Sequence, residues 1–448
     1  MDKYLKRNAY ENLLLWKKRE HHATLEVSGA RQVGKTFILD KFARENYKRY
    51  FYINMMQTSG KEFVECYYAA TSWKPGEKRI ERPLQKTFEL FDETFADDKN
   101  TIVVIDEIQE SAEVYSMIRQ FARDFSCHFV VTGSYLGKTL SKEYFLPAGD
   151  IDTMVLDTLS YEEFLGTVGL RNVYDNLDLY GQGKQEEYEE LKKWYDIYIQ
   201  IGGYPAVVKC YLETKDMEKC KEELANIIRI FVNESERYFN DVLEVNLFEQ
   251  LFPSIAQSMI KESKGSSDRI SELSKIIFKD ESDRITKKSV NQAIAWLYRS
   301  HIIGYCDRIS ECNLMDVSYH SRFYFRDIGV ARHFLRIAGA DQATVEGIIN
   351  ENFVYFYLER LIRERKLAGT SPAFGVYKGG EIDFFVRSVE NDKDYAIEVK
   401  SGKNIGKTAK DGKADYLYLL KGDTHGGIVD KKKYTVPIYL MGRITFVD

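Results

Sequence analysis

Eight residues, Gly29-Ala30-Arg31-Gln32-Val33-Gly34-Lys35-Thr36, constrain this chain more than any other stretch. They fit G-x-x-x-x-G-K-[ST], a loop whose glycines let backbone N–H groups turn inward around phosphate. The flanks agree with such a loop. Thr24 to Val27 reads as a short buried strand entering it, and Thr36 to Glu45 as an amphipathic helix leaving it. Lys35 is placed to reach β- and γ-phosphates, Thr36 to ligate Mg²⁺, and the helix N-terminus adds positive potential.

A second stretch belongs with the first. Thr101 to Glu107 (TIVVIDE) is a β-branched apolar run ending in two acids, as expected of a central parallel strand. Asp106 at the strand tip can hold the water shell of Mg²⁺, and Glu107 beside it can polarise an attacking water. A third strand, His128 to Val131, runs into Thr132-Gly133-Ser134, where Ser134 or Thr132 can sense the γ-phosphate or orient that water. A plain strand-to-turn transition reads the same way. Together these elements predict ATP or GTP binding, and Glu107 favours hydrolysis over storage.

The length of 448 residues predicts two to four domains. No run reaches the length of a membrane span, and residues 1–20 lack the apolar core of a signal peptide, so a cytoplasmic protein is expected. The six cysteines form no C-x-x-C pair, which argues against a zinc site or disulfide framework. The net charge of −5 means that nucleic-acid binding needs local basic patches. His21-His22 reads as a solvated turn.

Strand and helix signals alternate to about residue 160, as in a parallel α/β sheet. Thr58 to Asp98 reads as helical and polar, broken at Lys74-Pro75-Gly76. Met154 to Leu159 suggests one more strand, and Ser160 to Glu163 a capped helix start. Residues 165–250 read as helical, interrupted at Gly202-Gly203-Tyr204-Pro205. A helix capped by Thr286 would expose Lys287, Lys288, Asn291 and Gln292, with strands at 301–308 and 322–325 after it. That succession predicts a winged helix, and a helical connector with a hairpin is the alternative.

The C-terminal region carries a second chemical constellation. Glu381 to Val386 and Tyr395 to Lys400 are predicted as a hairpin whose alternation puts Glu381 and Asp383 opposite Ile382, Phe384 and Val386. Glu398 and Lys400 share a face in the same way, so Asp383, Glu398 and Lys400 should converge on a polar face. Two acids can hold Mg²⁺ or Mn²⁺, and the lysine can orient water or stabilise phosphorane charge. A surface ion-pair cluster is the plainer reading. Lys403, Lys407, Lys410 and Lys413 follow as a phosphate-facing or merely solvated patch.

Asp383 with Glu398-x-Lys400 resembles the PD-(D/E)xK nuclease core, although Ile382 stands where the leading proline would be. That resemblance implies a helical acid upstream, Glu351 first and Glu359 second. Along nearly its full length the chain resembles bacterial and archaeal AAA+-type ATPases of the ASCE class with a nuclease-like C-terminal domain. The resemblance is carried by GARQVGKT, VVIDEIQ, TGS, LSYEEF, GGYP, YFRDIG, ENFVYFYL and the EIDFFV/AIEVK pair. It implies a role for Arg31 in the loop and for Pro205 as a lid residue approaching nucleotide. Where relatives carry arginine after Ala148-Gly149 this chain has Asp150, which leaves Arg119 or Arg123 as substitutes. The expected α/β architecture is a P-loop ATPase core (1–164), a helical lid (165–250), a winged helix (251–335) and a PD-(D/E)xK-like domain (336–448). The expected function is ATP binding and hydrolysis with action on DNA or RNA. The alternative is a nucleotide-dependent switch that binds DNA or a protein partner without cleaving nucleic acid.

Overall fold

The computed structural model describes residues 5–20, 23–72, 79–134, 149–239, 247–260, 287–378, 380–400 and 414–447. His21-His22, Lys74-Pro75-Gly76, Ala148, Thr286 and the lysines at 403, 407, 410 and 413 lie outside them. The chain forms two compact units. One is Arg7–Asp157 with Arg299–His301; the other is Thr158–Tyr298 and Ile302–Asp448 with Met1–Lys6. Among the described residues no helix is long and apolar enough to cross a membrane.

The first unit is built on five strands, β1 (Thr24–Ser28), β2 (Arg49–Asn54), β3 (Thr101–Asp106), β4 (His128–Thr132) and β5 (Ile151–Val155). They are all parallel and lie in the order β2-β3-β4-β1-β5. Every residue of β3 is buried, which is why its sequence is continuously apolar rather than alternating. Strand β4 lies between β1 and β3, so the segments that follow β1, β3 and β4 emerge side by side. The 58–98 segment is less polar in effect than its composition suggests. Its helices Thr58–Thr71 and Pro83–Phe91 bury Phe63, Leu84 and Phe88 in a core with Phe95, Phe121 and Phe129. Phe121 and Phe129 stack with centroids 4.6 Å apart. The last strand starts earlier than expected, at Ile151 rather than Met154.

In the second unit, helices including Gln185–Ile201, Met217–Phe239, Ile328–Ile337 and Gln342–Arg363 accompany an eight-stranded mixed sheet. Its strands are β6 (Ile303–Ser310), β7 (Val317–Phe325), β8 (Ala373–Tyr377), β9 (Gly380–Arg387), β10 (Asp394–Lys400), β11 (Tyr416–Lys421), β12 (Gly427–Asp430) and β13 (Lys433–Pro437). They run in the order β12-β13-β11-β10-β9-β8-β6-β7.

This order alters the winged-helix expectation. The β6–β7 ribbon is not a free wing: β6 pairs in parallel with β8 from Asp307↔Ala373 to Ser310↔Val376. Pairing there covers a strand edge that a free ribbon would leave open. One sheet therefore runs across the boundary expected at 335/336. The helix Lys287–Arg299 does expose Lys287, Lys288, Asn291 and Gln292 and bury Val290, Ala293, Ile294 and Leu297.

Several motifs owe their residues to packing in this unit. Glu162 of LSYEEF is buried and accepts hydrogen bonds from Tyr357 Oη (2.5 Å) and Arg360 (2.6 Å). Asp327 of YFRDIG caps the helix Ile328–Ile337 by accepting from Val330 N–H (3.0 Å), and its other oxygen accepts from Gly203 N–H (2.9 Å). A Cβ on Gly202 would stand 2.5 Å from Asp327 Oδ1, and one on Gly203 2.2 Å from the Leu159 carbonyl oxygen. Pro205 opens the helix Pro205–Thr214, where a missing N–H has no consequence. Close approach within the unit thus accounts for the glycines of GGYP.

Candidate functional site

At the end of β1 the chain enters the loop through Gly29 (φ 150°), where a Cβ would lie 2.2 Å from the Leu156 carbonyl oxygen. Ala30 and Val33 are buried, and Gln32 (φ 64°) and Gly34 (φ 93°) take left-handed conformations that turn the loop into its helix. No atom lies within 4 Å of a Cβ placed on Gly34. The helix Lys35–Asn46 then starts with its N-terminus open.

Lys35 is buried, and its Nζ donates to the Gly29 (2.8 Å) and Ala30 (2.9 Å) carbonyls and to Ser134 Oγ (3.2 Å). Burial pulls its ammonium down to about 8, against the upward pull of Glu107 and Asp106. Arg31 adds to the lowering. Thr36 Oγ1 donates to Asp106 Oδ2 (2.7 Å), so the hydroxyl and carboxylate expected to serve Mg²⁺ already face each other. Asp106 Oδ1 accepts the Glu107 N–H (2.8 Å). Glu107 adopts φ 52°, ψ 43°, a left-handed conformation unusual for a residue with a side chain. Its carboxylate is held by Gln109 Nε2 (2.6 Å) and approached by Ser134 Oγ (3.4 Å). Thr132 points elsewhere, donating to the Val27 carbonyl at 2.8 Å. Of the two candidates after β4, Ser134 is therefore the one at the site.

Three further side chains went unnoticed in the sequence. Tyr52 Oη donates to Asp106 Oδ2 (2.7 Å) and takes a hydrogen bond from Asn54 Nδ2 (3.2 Å). Gln109, buried in the turn after β3, positions Glu107. Arg7 is buried and donates to the Val33 carbonyl (2.9 Å) and the Asp157 carbonyl (2.5 Å), clamping the loop from 26 residues away. Period two in β2 would have put Tyr52 and Asn54 on one face at the strand tip. No local pattern marks Arg7. Asp150 holds both substitute arginines, Arg119 Nε at 3.2 Å and Arg123 at 2.7 Å. Hydrogen bonding from Arg123 keeps the Asp150 carboxyl below its ordinary range.

The second constellation lies in the second unit. The β9–β10 ladder runs from Asp394↔Arg387 to Ile397↔Phe384. At the next position the Asp383 carboxylate accepts the Val399 N–H at 2.7 Å. Against β8, Phe385 pairs with Ala373 but Ile382 with Gly375, so β9 carries one extra residue, a bulge around Asp383 and Phe384. The strict alternation expected of β9 is thereby broken. Ile382 and Phe385 join one apolar cluster with Ala396, Leu417 and Leu419. Lys400 Nζ bridges the acids, 2.7 Å from Glu398 Oε2 and 3.4 Å from Asp383 Oδ2. Asp383, Glu398 and Lys400 do converge.

The surroundings are more apolar than a half-exposed hairpin face. Glu398 is 1 % exposed and its Oε1 has no hydrogen-bond partner. Burial, reinforced by Asp383, pushes its carboxyl up to about 7. Burial also raises Asp383, opposed by Lys400. Burial alone would lower Lys400, but the two acids outweigh it and hold its ammonium above the ordinary value. Glu351 lines a small recess with Arg322, Phe323 and Tyr324, and Glu359 forms a buried ion pair with Arg326. Among the described residues no group of three or more His, Cys, Asp or Glu side chains is arranged to hold a metal ion.

A parallel sheet with a glycine-rich loop, a lysine, and a facing threonine–aspartate pair defines a P-loop nucleotide-binding domain. In agreement, residues 21–165 match the family described as an AAA domain. Residues 192–341 match a domain of unknown function, DUF8612. No curated protein matches the chain. Similar solved structures include the Aeropyrum pernix ORC2 protein in ADPNP–ADP complexes, at 11% identity and TM-score 0.35, covering 78% of this chain and 96% of that one. The Thermotoga maritima RuvB Holliday junction branch migration motor is 13% identical at TM-score 0.30, covering 72% and 94%. A signal-transduction ATPase with a tetratricopeptide repeat sensor from Pyrococcus horikoshii is 13% identical at TM-score 0.29, covering 80% and 46%. At such scores none of the three bears on what this chain does.

Proposed function

We propose that the first unit hydrolyses ATP. The observation that carries this reading is the Thr36–Asp106 contact at 2.7 Å beside a Glu107 held by Gln109. Lys35 would exchange the Gly29 and Ala30 carbonyls for phosphate oxygens, and open space beside Gly34 leaves room for them. Thr36 and Asp106 would hold Mg²⁺, which neutralises phosphate charge when bound. Glu107 accepts the proton of the attacking water as the terminal P–O bond breaks, and Ser134 positions that water or the phosphate. Glu107→Gln should keep ATP binding and lose turnover in a phosphate-release assay. A variant that turns over at the wild-type rate removes Glu107 from the mechanism.

The second half of the proposal concerns nucleic acid. Asp383 and Glu398 would hold Mg²⁺ or Mn²⁺, and Lys400 would orient water at a phosphodiester. The buried Glu398 Oε1 without a partner supports this, because a cation there would supply the missing interaction. The alternative, a nucleotide-dependent switch that binds DNA or a protein partner, is favoured by a different observation. Lys400 already bridges both acids, and no third acid completes a metal-holding group with them among the described residues. Incubation of the full chain with ATP, Mn²⁺ and DNA or RNA in several forms separates the two. Cleavage that disappears in Asp383→Asn supports the enzyme, and binding without cleavage supports the switch.

A further inference from the structure

We propose that the cavity between the helices Gln185–Ile201, Met217–Phe239, Ile328–Ile337 and Gln342–Arg363 binds a small organic phosphate through Arg332 and Arg336. The cavity lies wholly within the second unit and measures about 1170 Å³, above the ~300–1,000 Å³ range of ordinary ligand pockets. Its lining contains four lysines or arginines and four acids, so it has no net charge and any selection must be local.

The local arrangement is asymmetric. One of the acids, Asp196, is already paired with a cation, Lys192 Nζ at 2.6 Å; Glu346 accepts from the neutral Gln342 Nε2, and its charge still acts on Arg332. Arg332 is not matched in this way: its Nη1 is out of solvent and has no acceptor. A guanidinium carries five N–H donors and no acceptor, so a buried unused donor costs free energy. Arg336 stands one turn further along the same helix, on the same side. The guanidinium of Arg332 is held below its ordinary pKa, by burial first and by Arg336 second, with Glu346 opposing them. An anion between the two arginines lets Arg332 turn toward it, supplies the missing acceptor and cancels the repulsion.

The charge class follows from the pair. Two guanidiniums match a phosphate monoester, which carries close to two negative charges at neutral pH and offers three acceptor oxygens. His333 beside them is held neutral by burial and can still donate one hydrogen bond. Part of the wall is apolar. Ile199, Leu224, Ile337 and the ring of Tyr195 give room and contact for an organic body on the phosphate. Inorganic phosphate alone would leave those residues uncovered.

Isothermal titration of the full chain with phenyl phosphate tests the assignment, with inorganic phosphate and benzoate as comparison arms. Wild type and Lys35→Ala should bind phenyl phosphate alike, since the site is not the phosphate loop. Arg332→Gln and Arg336→Gln should each weaken it by about tenfold or more, the scale of a lost charge-assisted hydrogen bond. Arg332→Lys should fall between, because it keeps the charge without the planar fork. Without ligand, Arg332→Gln should unfold at or above the wild-type midpoint, having lost an unpaired buried donor. Unchanged affinity in Arg332→Gln, loss of binding in Lys35→Ala, or no binding at all overturns the proposal. Equal affinity for benzoate overturns the phosphate assignment, and a lowered Arg332→Gln midpoint makes Arg332 a structural residue instead.

Discussion

Glu398→Gln should stabilise the second unit at alkaline pH and do so progressively less as pH falls. The wild-type carboxyl ionises at about 7 in the folded chain against an ordinary 4.5. An acid whose folded value is raised holds its proton more tightly when folded, so stability is lost as pH rises from the unfolded value through the folded one. A tenfold difference in proton affinity between the folded and unfolded chain corresponds to about 1.36 kcal/mol. The ionised group therefore costs roughly 3 kcal/mol near pH 8 and about 1 kcal/mol near pH 5. Glutamine has nearly the same shape and no charge. The stability difference between variant and wild type should grow by roughly 2 kcal/mol between those two pH values. Part of the cost is already offset by Lys400 at 2.7 Å, which the raised value includes. Urea unfolding of both proteins across that range measures the difference directly. A constant separation at every pH would refute the reasoning, because it would mean that Glu398 titrates normally in the fold. Saturating Mn²⁺ should reverse the sign near pH 8 if the two carboxylates hold a cation, since only wild type gains from it.

Other outcomes follow from particular contacts. Lys35→Ala should abolish measurable ATP binding in a filter assay, because the loop's N–H groups alone do not neutralise a triphosphate. Gly203→Ala should lower the unfolding midpoint through overpacking by roughly 1–3 kcal/mol, since its Cβ would sit 2.2 Å from the Leu159 carbonyl. Gly166→Ala, where a Cβ meets nothing within 4 Å, serves as the tolerant control, and equal effects from the two would discount the close approach. If the helix Lys287–Arg299 meets phosphates, Lys287→Ala with Lys288→Ala should weaken DNA binding most at low salt. Unchanged low-salt affinity in a gel-shift titration would take that helix out of the account.

The nucleotide site was legible in the sequence because its requirements are local. A loop that wraps phosphate needs glycines at φ values other residues resist, as at Gly34, and a buried central strand needs an unbroken apolar run, as at Val103 to Ile105. Lys35, Thr36, Asp106 and Glu107 therefore announced themselves by position along the chain. That Glu398 and Lys400 share a face was legible for a similar reason, since strand periodicity is a property of neighbours, whereas Asp383 meets them through the pairing of β9 with β10. Tertiary structure decided the rest. Arg7 clamps the loop across 26 residues, and Asp150 captures Arg119 and Arg123 through side chains whose meeting no spacing encodes. The bulge in β9 sets Ile382 and Phe385 in one cluster, and the β6–β8 pairing turns an expected wing into part of a larger sheet. Strand order and register depend on which edges find each other, and a hydrophobic pattern states only that a face is to be buried, not against what.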